Sequence, residues 1–180
     1  MERTGSANAY LTGFGNNKRI VFFDTLLDKL NTDEVIAVLA HEIGHFKHKH
    51  IQKRIVLLAT MTLGGLALLG WLMQQDWFYN GLGINTPSTY IALLLFALVL
   101  PVFTFFVQPI IAWISRKYEF EADDFAAEQS NPLMLIQALV KLYRESASSL
   151  TQDPLYSACY ETHPQAPVRV AYLSRKLSTS

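Results

Sequence analysis

Two histidines four residues apart, with a glutamate beside the first, are the residues of this chain best suited to chemistry. They lie in the segment His41-Glu42-Ile43-Gly44-His45. Positions i and i+4 of a helix share one face, so His41 and His45 can direct imidazole nitrogens at one metal ion about 2.0–2.1 Å away. Glu42 is then placed to take a proton from a metal-bound water rather than to bind the metal. The pattern predicts a hydrolytic zinc site.

The alternative for this motif is a surface helix with two solvated histidines. Leu39, Ala40 and Ile43 make its surroundings apolar, which argues against a fully solvated face. A catalytic zinc needs a third protein ligand and keeps a fourth position for water. The candidates for the third ligand are His48, His50, Glu119, Glu121, Asp123, Asp124 and His163.

The two histidines that follow the motif are poorly placed to complete it. His48 lies on roughly the helix face of His41, but seven residues correspond to about 10 Å of rise. One ion cannot bind both at imidazole distance. We therefore interpret His48 and His50 as part of a basic, membrane-adjacent segment.

The acidic cluster Tyr118–Asp124 is better placed to supply the missing ligand. Glu119 and Asp123 are four residues apart, so one helix face carries two carboxylates. One carboxylate can bind the metal while the other accepts a hydrogen bond from a ligand histidine. A solvated, acidic start of a helix is the alternative. The metal-site interpretation requires the cluster to return to the same side as His41.

Composition points to a membrane protein. Of the 180 residues, 51% are hydrophobic and the mean hydropathy is +0.18, which is unusually apolar for a soluble domain of this size. Fifteen basic and fifteen acidic residues balance, so no global charge favours binding to nucleic acid. The single cysteine, Cys159, excludes an intrachain disulfide. We expect no nucleic-acid partner.

Two charge-free stretches are long enough to cross a bilayer and bring the acidic cluster back. No charged residue occurs over Ile55–Gln75 or over Trp77–Ser115, whose apolar part is Tyr90–Ile114. About 20 helical residues span a bilayer core of about 30 Å. We predict transmembrane helices over 55–75 and 90–114. Two buried core helices of a soluble protein are the alternative.

The charges around these stretches predict their orientation. The loop between them has Asp76 and no Lys or Arg. Positive residues accumulate on the cytoplasmic side of membrane helices, so both outer ends and the site are expected there, in a bacterial inner membrane or an endoplasmic reticulum membrane. The flanking basic residues are Lys47, Lys49, Lys53 and Arg54 before the first stretch, and Arg116 and Lys117 after the second.

The other elements complete a mainly α prediction with a single peptidase domain over 1–180. Residues 8–23 predict a small β-hairpin, and a short helical stretch is expected around Thr25–Leu30. Asn31 and Glu34 form a start signal for a helix over 32–50 that carries the histidine motif. Over 115–180 we expect a third-ligand helix to Gln129, a helix from Asn131 to about Ser146, a loop over 147–164 and a last helix from Ala166.

At this point the chain resembles a known family, the integral-membrane zinc metallopeptidases of the CAAX prenyl protease type I kind. The H-E-x-x-H segment, two spans and an E-x-x-x-D pattern occur in the same order. The resemblance covers nearly the whole chain. The matching segments are Asn8–Gly15, Lys18–Leu27, His41–His45, Ser115–Asp123, and Thr162-His163-Pro164 with Arg169 downstream. The implied fold is a helical, zincin-like membrane metalloprotease core.

The resemblance implies a role for each residue of the motifs. His41 and His45 bind one zinc ion per chain, and Glu42 is the general base. Glu119, the first acid of E-x-x-x-D, is the third ligand. Asp123 orients a histidine ligand.

Further roles follow from the same resemblance. Glu121 falls on a variable position of the pattern and is not assigned to the metal. His163 matches a histidine that contacts the substrate carbonyl or the developing oxyanion, with Arg169 nearby. The strand that contains Asn8 and Ala9 pairs with an extended substrate by strand addition.

The resemblance predicts a zinc metalloendopeptidase that acts on a peptide or protein substrate. This substrate could be C-terminally lipidated or membrane-bound. The lipid bilayer is the second expected partner. Members of this kind have more spans before the hairpin, so the chain is expected to be the C-terminal catalytic portion. The alternatives are a heat-shock quality-control protease of the HtpX type and a non-catalytic metal-binding membrane scaffold.

Overall fold

The computed structural model describes residues 9–12, 19–22, 28–145 and 153–178. These ranges are mainly helical, as the sequence predicted. Contacts divide the chain into two units, one formed by the residues up to His50 and from Ala112 onward, the other by Ile51–Ile111. The single peptidase domain stays a prediction. The helices are α1 (Thr32–Lys47), α2 (His50–Leu72), α3 (Asp76–Asn80), α4 (Thr89–Gln129), α5 (Pro132–Glu145), α6 (Pro154–Tyr160) and α7 (Ala166–Leu177).

Two short strands precede the helices. β1 (Ala9–Thr12) and β2 (Arg19–Phe22) pair antiparallel, with Ala9 opposite Phe22. The turn of the predicted hairpin, at residues 13–18, lies outside the described residues, so the complete hairpin stays a prediction. Most of the predicted helical stretch around Thr25–Leu30 also lies outside them, and residues 28–30 form a turn.

Helix α1 begins where the sequence predicted and ends earlier. The Asn31 side chain accepts a hydrogen bond from the Glu34 N–H at 2.8 Å, and the Glu34 carboxylate accepts one from the Asn31 N–H at 2.8 Å. This capping box satisfies two backbone donors that the first turn leaves unpaired. The helix ends at Lys47 rather than at residue 50. Lys49 has a φ of 57°, which is left-handed and interrupts the helix before α2 begins at His50.

The first unit is held together by small and apolar side chains of α1, α5, α7 and the last part of α4. Gly44 of α1 lies directly against α4, because a Cβ at this position would be 3.0 Å from the Ala122 Cα and 3.1 Å from its carbonyl oxygen. A side chain here would force the neighbouring backbone to shift, so glycine favours this close approach of the two helices. One buried cluster of this unit consists of Ala37, Ala40, Ala126, Leu135 and Leu173.

The second unit contains most of α2, all of α3 and the first part of α4. Helices α2 and α4 have the length and composition to cross a membrane, and 6% and 11% of their most apolar 18-residue windows are buried. A core helix of a soluble protein would bury most of that surface, so the soluble alternative is not supported. A small cluster is buried within the unit: Leu69, Phe78, Tyr79, Ala92 and Leu95.

Two parts of the C-terminal half differ from the sequence prediction. The predicted span over 90–114 and the predicted helix that follows it form one helix, α4, of 41 residues. Pro101 and Pro109 lie inside it, as membrane helices tolerate. The predicted loop over 147–164 contains helix α6, where the Asp153 side chain accepts hydrogen bonds from the N–H groups of Leu155 and Tyr156. The Asp153-Pro154 start signal of this helix was overlooked.

Candidate metal centre

Three predicted metal ligands from two helices converge on one point in the first unit. His41 and His45 lie one turn apart on α1, and Glu119 extends toward them from α4. The two Nε2 atoms are 3.2 Å apart. Glu119 Oε2 is 3.6 Å from His41 Nε2, and Glu119 Oε1 is 3.4 Å from His45 Nε2. The acidic cluster therefore returns to the motif, as the metal-site interpretation required.

The spacing of the two imidazole nitrogens and the nearest oxygens of the Glu119 carboxylate fits a tetrahedral metal ion. Ligands bound at about 2.0–2.1 Å in a tetrahedron are about 3.3 Å from one another, close to the three observed separations. The set of two imidazoles and one carboxylate is typical of catalytic zinc. His41 and Glu119 are 7% and 3% exposed, while His45 is partly exposed. His41, His45 and Glu119 thus form a group that could hold a metal ion.

The outer nitrogen of His41 has a carboxylate partner. Its Nδ1 lies 2.9 Å from Asp123 Oδ1, and Asp123 is completely buried. Because a carboxylate only accepts hydrogen bonds, this contact places the ring proton on Nδ1 and leaves Nε2 able to bind a metal. This is the relation between E-x-x-x-D and a ligand histidine that the sequence suggested.

Arg169, which the resemblance places near His163, supports the carboxylates from α7. Its Nε donates to Asp123 Oδ2 at 2.8 Å, and its Nη2 contacts the other oxygen. Its Nη1 is 3.5 Å from Glu119 Oε2. The guanidinium is buried, so it compensates two buried negative charges in a place where water cannot.

The electrostatics of α1 suit the chemistry of a hydrolytic site. Burial and the neighbouring His41 lower the pKa of His45 to about 4, so this imidazole is neutral near pH 7, as metal binding requires. Burial is also the largest influence on Glu42, and it raises the pKa of this carboxyl above its ordinary value. A raised pKa makes a carboxylate a better proton acceptor at neutral pH.

His163 reaches the site from the segment between α6 and α7. Its Nδ1 is 3.1 Å from Glu119 Oε1, while 69% of its side chain remains exposed. Arg116 of α4 fixes the nearby end of α6 by donating to the carbonyl oxygens of Ser157, Ala158 and Glu161 at 2.7–3.2 Å. Arg116 was predicted only as a flanking positive charge, and its role in α6 could not be inferred because α6 itself was not predicted.

His50, which was interpreted as part of a basic, membrane-adjacent segment, also contacts the site. His50 is 3% exposed, its Nδ1 is 2.9 Å from His45 Nδ1 and its Nε2 is 3.0 Å from Glu121 Oε2. The break at Lys49 turns His50 back onto the site, and no periodic pattern reveals such a break. Glu121 therefore has a partner in the site although its position in the motif is variable.

The other candidates do not join the three converging atoms. His48 stacks on His50 at 5.6 Å between ring centroids. Asp124 accepts a hydrogen bond from the Tyr172 hydroxyl at 2.8 Å and pairs with Lys176. Asn8 lies outside the described residues, and Ala9 is described only as part of β1.

Comparison with known proteins agrees with the fold and the site. The family described as Peptidase family M48 matches residues 1–177. The chain belongs to peptidase family M48. A family of metallopeptidases implies a metal ion and a peptide or protein substrate, and the donor set described above fits such a metal.

Several relatives carry prenyl protease names, and one solved structure also matches the chain. A CAAX prenyl protease 1 homolog of Arabidopsis thaliana is 37% identical over 166 residues, covering 90% of this chain and 38% of the relative. One of Dictyostelium discoideum is 34% identical over 179 residues, covering 98% and 42%. The crystal structure of S. mikatae Ste24p matches with a TM-score of 0.78 at 35% identity, covering 93% of this chain and 42% of that one.

These matches confirm the resemblance to the CAAX prenyl protease type I kind and do not favour the HtpX-type alternative. The chain spans less than half the length of the relatives that it matches. The predicted mainly α class with two apolar helices also agrees with the solved relative.

Proposed function

We propose that this chain forms the catalytic portion of a membrane-embedded zinc metalloendopeptidase with one zinc ion per chain. The triangle of His41 Nε2, His45 Nε2 and Glu119, with sides of 3.2–3.6 Å, is the observation that carries the proposal. When bound, zinc supplies a Lewis acid that favours ionisation of water and polarises a carbonyl group.

The other residues have distinct roles in this proposal. Glu42 accepts a proton from the attacking water and passes it to the leaving amine, a role supported by its raised pKa and its place beside His41. Asp123 holds the His41 ring in the required orientation, and Arg169 holds Asp123. His163, exposed beside Glu119, donates a hydrogen bond to the developing oxyanion.

The proposed substrate is an extended peptide or protein segment, and a prenylated C-terminus is the specific candidate. The names of the relatives in Arabidopsis thaliana and Dictyostelium discoideum support the prenylated candidate. Strand β1 has one edge that β2 does not occupy, and the peptide backbone would pair along it near Asn8 and Ala9 by strand addition.

The proposed location of the site is the cytoplasmic face of a membrane. The exposed apolar surface of α2 and α4 supports insertion into a bilayer. Basic residues at the outer ends of both helices, against Asp76 in the loop, support the orientation.

The deciding experiment measures zinc content and peptide cleavage in detergent for the wild type and Glu42→Gln. The variant keeps all three ligand atoms but loses its proton acceptor, so it should retain zinc while cleavage falls by at least about 100-fold. Glu119→Ala should lose zinc. Zinc-dependent cleavage by Glu42→Gln at the wild-type rate would remove Glu42 from the mechanism. A wild type with no bound zinc and no cleavage restored by added zinc would favour the scaffold alternative.

A further inference from the structure

Each of the two ligand histidines has a second nitrogen, and the structure gives the two nitrogens different partners. His41 Nδ1 faces the carboxylate of Asp123. His45 Nδ1 faces another imidazole, that of His50, at 2.9 Å. The second contact has no equivalent in the motifs that define the metal centre.

The local backbone is what makes this contact possible. On an uninterrupted helix, residues five apart are rotated by about 140° from each other, so His45 and His50 would lie on different faces. The left-handed φ of 57° at Lys49 ends α1 and redirects the chain before α2 starts at His50. A lysine is an unusual residue in this conformation.

His50 is also fixed from two other sides. Its ring stacks on Tyr118 of α4 at 4.3 Å between centroids and an interplanar angle of 10°. Its Nε2 lies 3.0 Å from Glu121 Oε2. Only 3% of the surface of His50 is exposed, so these contacts hold the ring in a packed position.

The hydrogen bonds have only one direction compatible with metal binding. If His45 uses Nε2 for the metal, its Nδ1 must carry the proton and donate to His50 Nδ1. His50 then carries its own proton on Nε2 and donates it to Glu121, which as a carboxylate only accepts. The three groups thus form one chain, from ligand to imidazole to carboxylate, with consistent donors and acceptors throughout.

We propose that His50, supported by Glu121, is a positioning residue that fixes the tautomer and orientation of His45 for metal binding. The inference rests on the proposed function, since it takes His45 as a metal ligand. Glu119, Glu121 and Asp123 of α4 then serve the same centre in three ways, as ligand, as support of the His45 side and as support of the His41 side.

The test compares His50→Phe with His50→Asn and uses His48→Phe as the matched control. Phenylalanine keeps a flat ring on Tyr118 but cannot accept the His45 proton. Asparagine places an acceptor oxygen near the position of Nδ1. The readouts are zinc affinity by chelator competition, the visible spectrum of the Co²⁺-substituted protein, and kcat and KM separately.

His50→Phe should weaken zinc binding by about 10- to 100-fold, shift the Co²⁺ bands, and lower kcat with little change in KM. His50→Asn should recover much of the affinity. His48→Phe should match the wild type. If His50→Phe does not fold, Glu121→Ala at the partly exposed end of the chain of hydrogen bonds should still weaken zinc binding several-fold.

Two results would overturn the inference while leaving the zinc peptidase intact. One is wild-type zinc affinity and an unchanged Co²⁺ spectrum in His50→Phe. The other is a second zinc per chain that His48→Phe removes, since His48, His50 and Glu121 would then be ligands themselves. A wild type that binds no zinc would instead contradict the proposed function and, with it, the role of His50.

Discussion

His41 lies between the proposed metal position and a buried carboxylate, and this arrangement determines which ring nitrogen carries the proton. Asp123 accepts from Nδ1 at 2.9 Å, so Nε2 is the nitrogen that remains to bind a metal on the side of His45 and Glu119. Arg169 keeps Asp123 ionised and oriented from the other side. The residues that do not bind the metal therefore set the geometry of those that do.

Replacing Asp123 by Asn should test this arrangement directly. The amide can donate where the carboxylate only accepts, and Arg169 loses a buried negative partner. We expect zinc affinity to fall by about 10- to 100-fold. Chelator competition measures it, with Asp124→Asn as the control, because Asp124 lies next in the chain and contacts Tyr172 and Lys176 instead. Equal losses in both variants would contradict the assignment.

The residues that the sequence revealed are those whose relation is local. His41, Glu42 and His45 follow from helical spacing alone, and Glu119 with Asp123 followed once two spans returned the chain to the same side. His50 could not be found in this way, because its position depends on the backbone of Lys49. The bidentate contact of Arg169 depends on how α7 packs against α4, which no spacing expresses.

At the scale of elements, the site depends on how closely α1 approaches α4. Gly44 makes that approach, and Ala122 lies opposite it. A glycine inside a helix lowers the stability of that helix relative to alanine. Because Gly44 has no side chain, α4 can pack close to α1, and Glu119 of α4 then lies near the imidazoles of His41 and His45.

Gly44→Ala should therefore destabilise the protein and weaken zinc binding together. The new Cβ meets backbone atoms at 3.0 and 3.1 Å, and these cannot rotate away. Overpacking of this kind costs about 1–3 kcal/mol, and the better helix propensity of alanine offsets at most about 1 kcal/mol. Thermal unfolding in detergent and chelator competition measure the two effects.

The control for this substitution is Gly64→Ala in α2. There a Cβ meets no described atom within 4 Å, so the variant should be neutral or slightly more stable. Equal destabilisation by both substitutions would show that the effect comes from losing a glycine in a helix rather than from the contact with Ala122.

A second element-scale prediction concerns the start of α1. Burial opposes ionisation of Glu34, but hydrogen bonds from Lys141 and from the Asn31 N–H outweigh it and hold the pKa of Glu34 below its ordinary value. Because the pKa of Glu34 is lower in the folded state, the ionised carboxylate stabilises that state at pH values above the ordinary carboxyl pKa. That stabilisation is lost as the pH falls through the lower, folded-state value.

Glu34→Gln should lower the free energy of unfolding by about 1 kcal/mol at pH 7. The variant loses the negative charge that pairs with Lys141, while the amide oxygen can still accept a hydrogen bond from the Asn31 N–H. The difference from the wild type should shrink as the pH falls below the ordinary carboxyl value. Unfolding in detergent at several pH values measures it, with the exposed Asp33→Asn as the control. If the difference in unfolding free energy between the wild type and Glu34→Gln grew toward low pH, the lowered pKa of Glu34 would be contradicted.

At the scale of the whole molecule, the sequence predicted the mainly α class and the two apolar helices but not every boundary. A long stretch without charged residues is a good indicator of a transmembrane helix, because few other structures need such a stretch. It does not indicate that α4 continues beyond the apolar region to Gln129. Helix α6 was missed because it is short and follows a polar stretch.

Exposed apolar residues on α2 and α4 should make the chain dependent on a bilayer. Leu98 of α4 is 67% exposed and Leu155 of α6 is 78% exposed, yet only the first lies in a predicted span. Leu98→Arg should oppose insertion by up to about 2.5–3.5 kcal/mol, whereas Leu155→Arg should have no effect. A glycosylation-site insertion assay separates them, and unaffected insertion of Leu98→Arg would argue against a span there.

The two helices that form the metal centre are made at different times during synthesis. His45 precedes Glu119 by 74 residues, which a ribosome adds in roughly 4 to 15 s at 5–20 residues per second. During that interval the nascent chain presents two imidazoles and no carboxylate ligand, and Arg169 comes later still. Under the proposed function, the chain can complete its metal centre only after both apolar helices have been made.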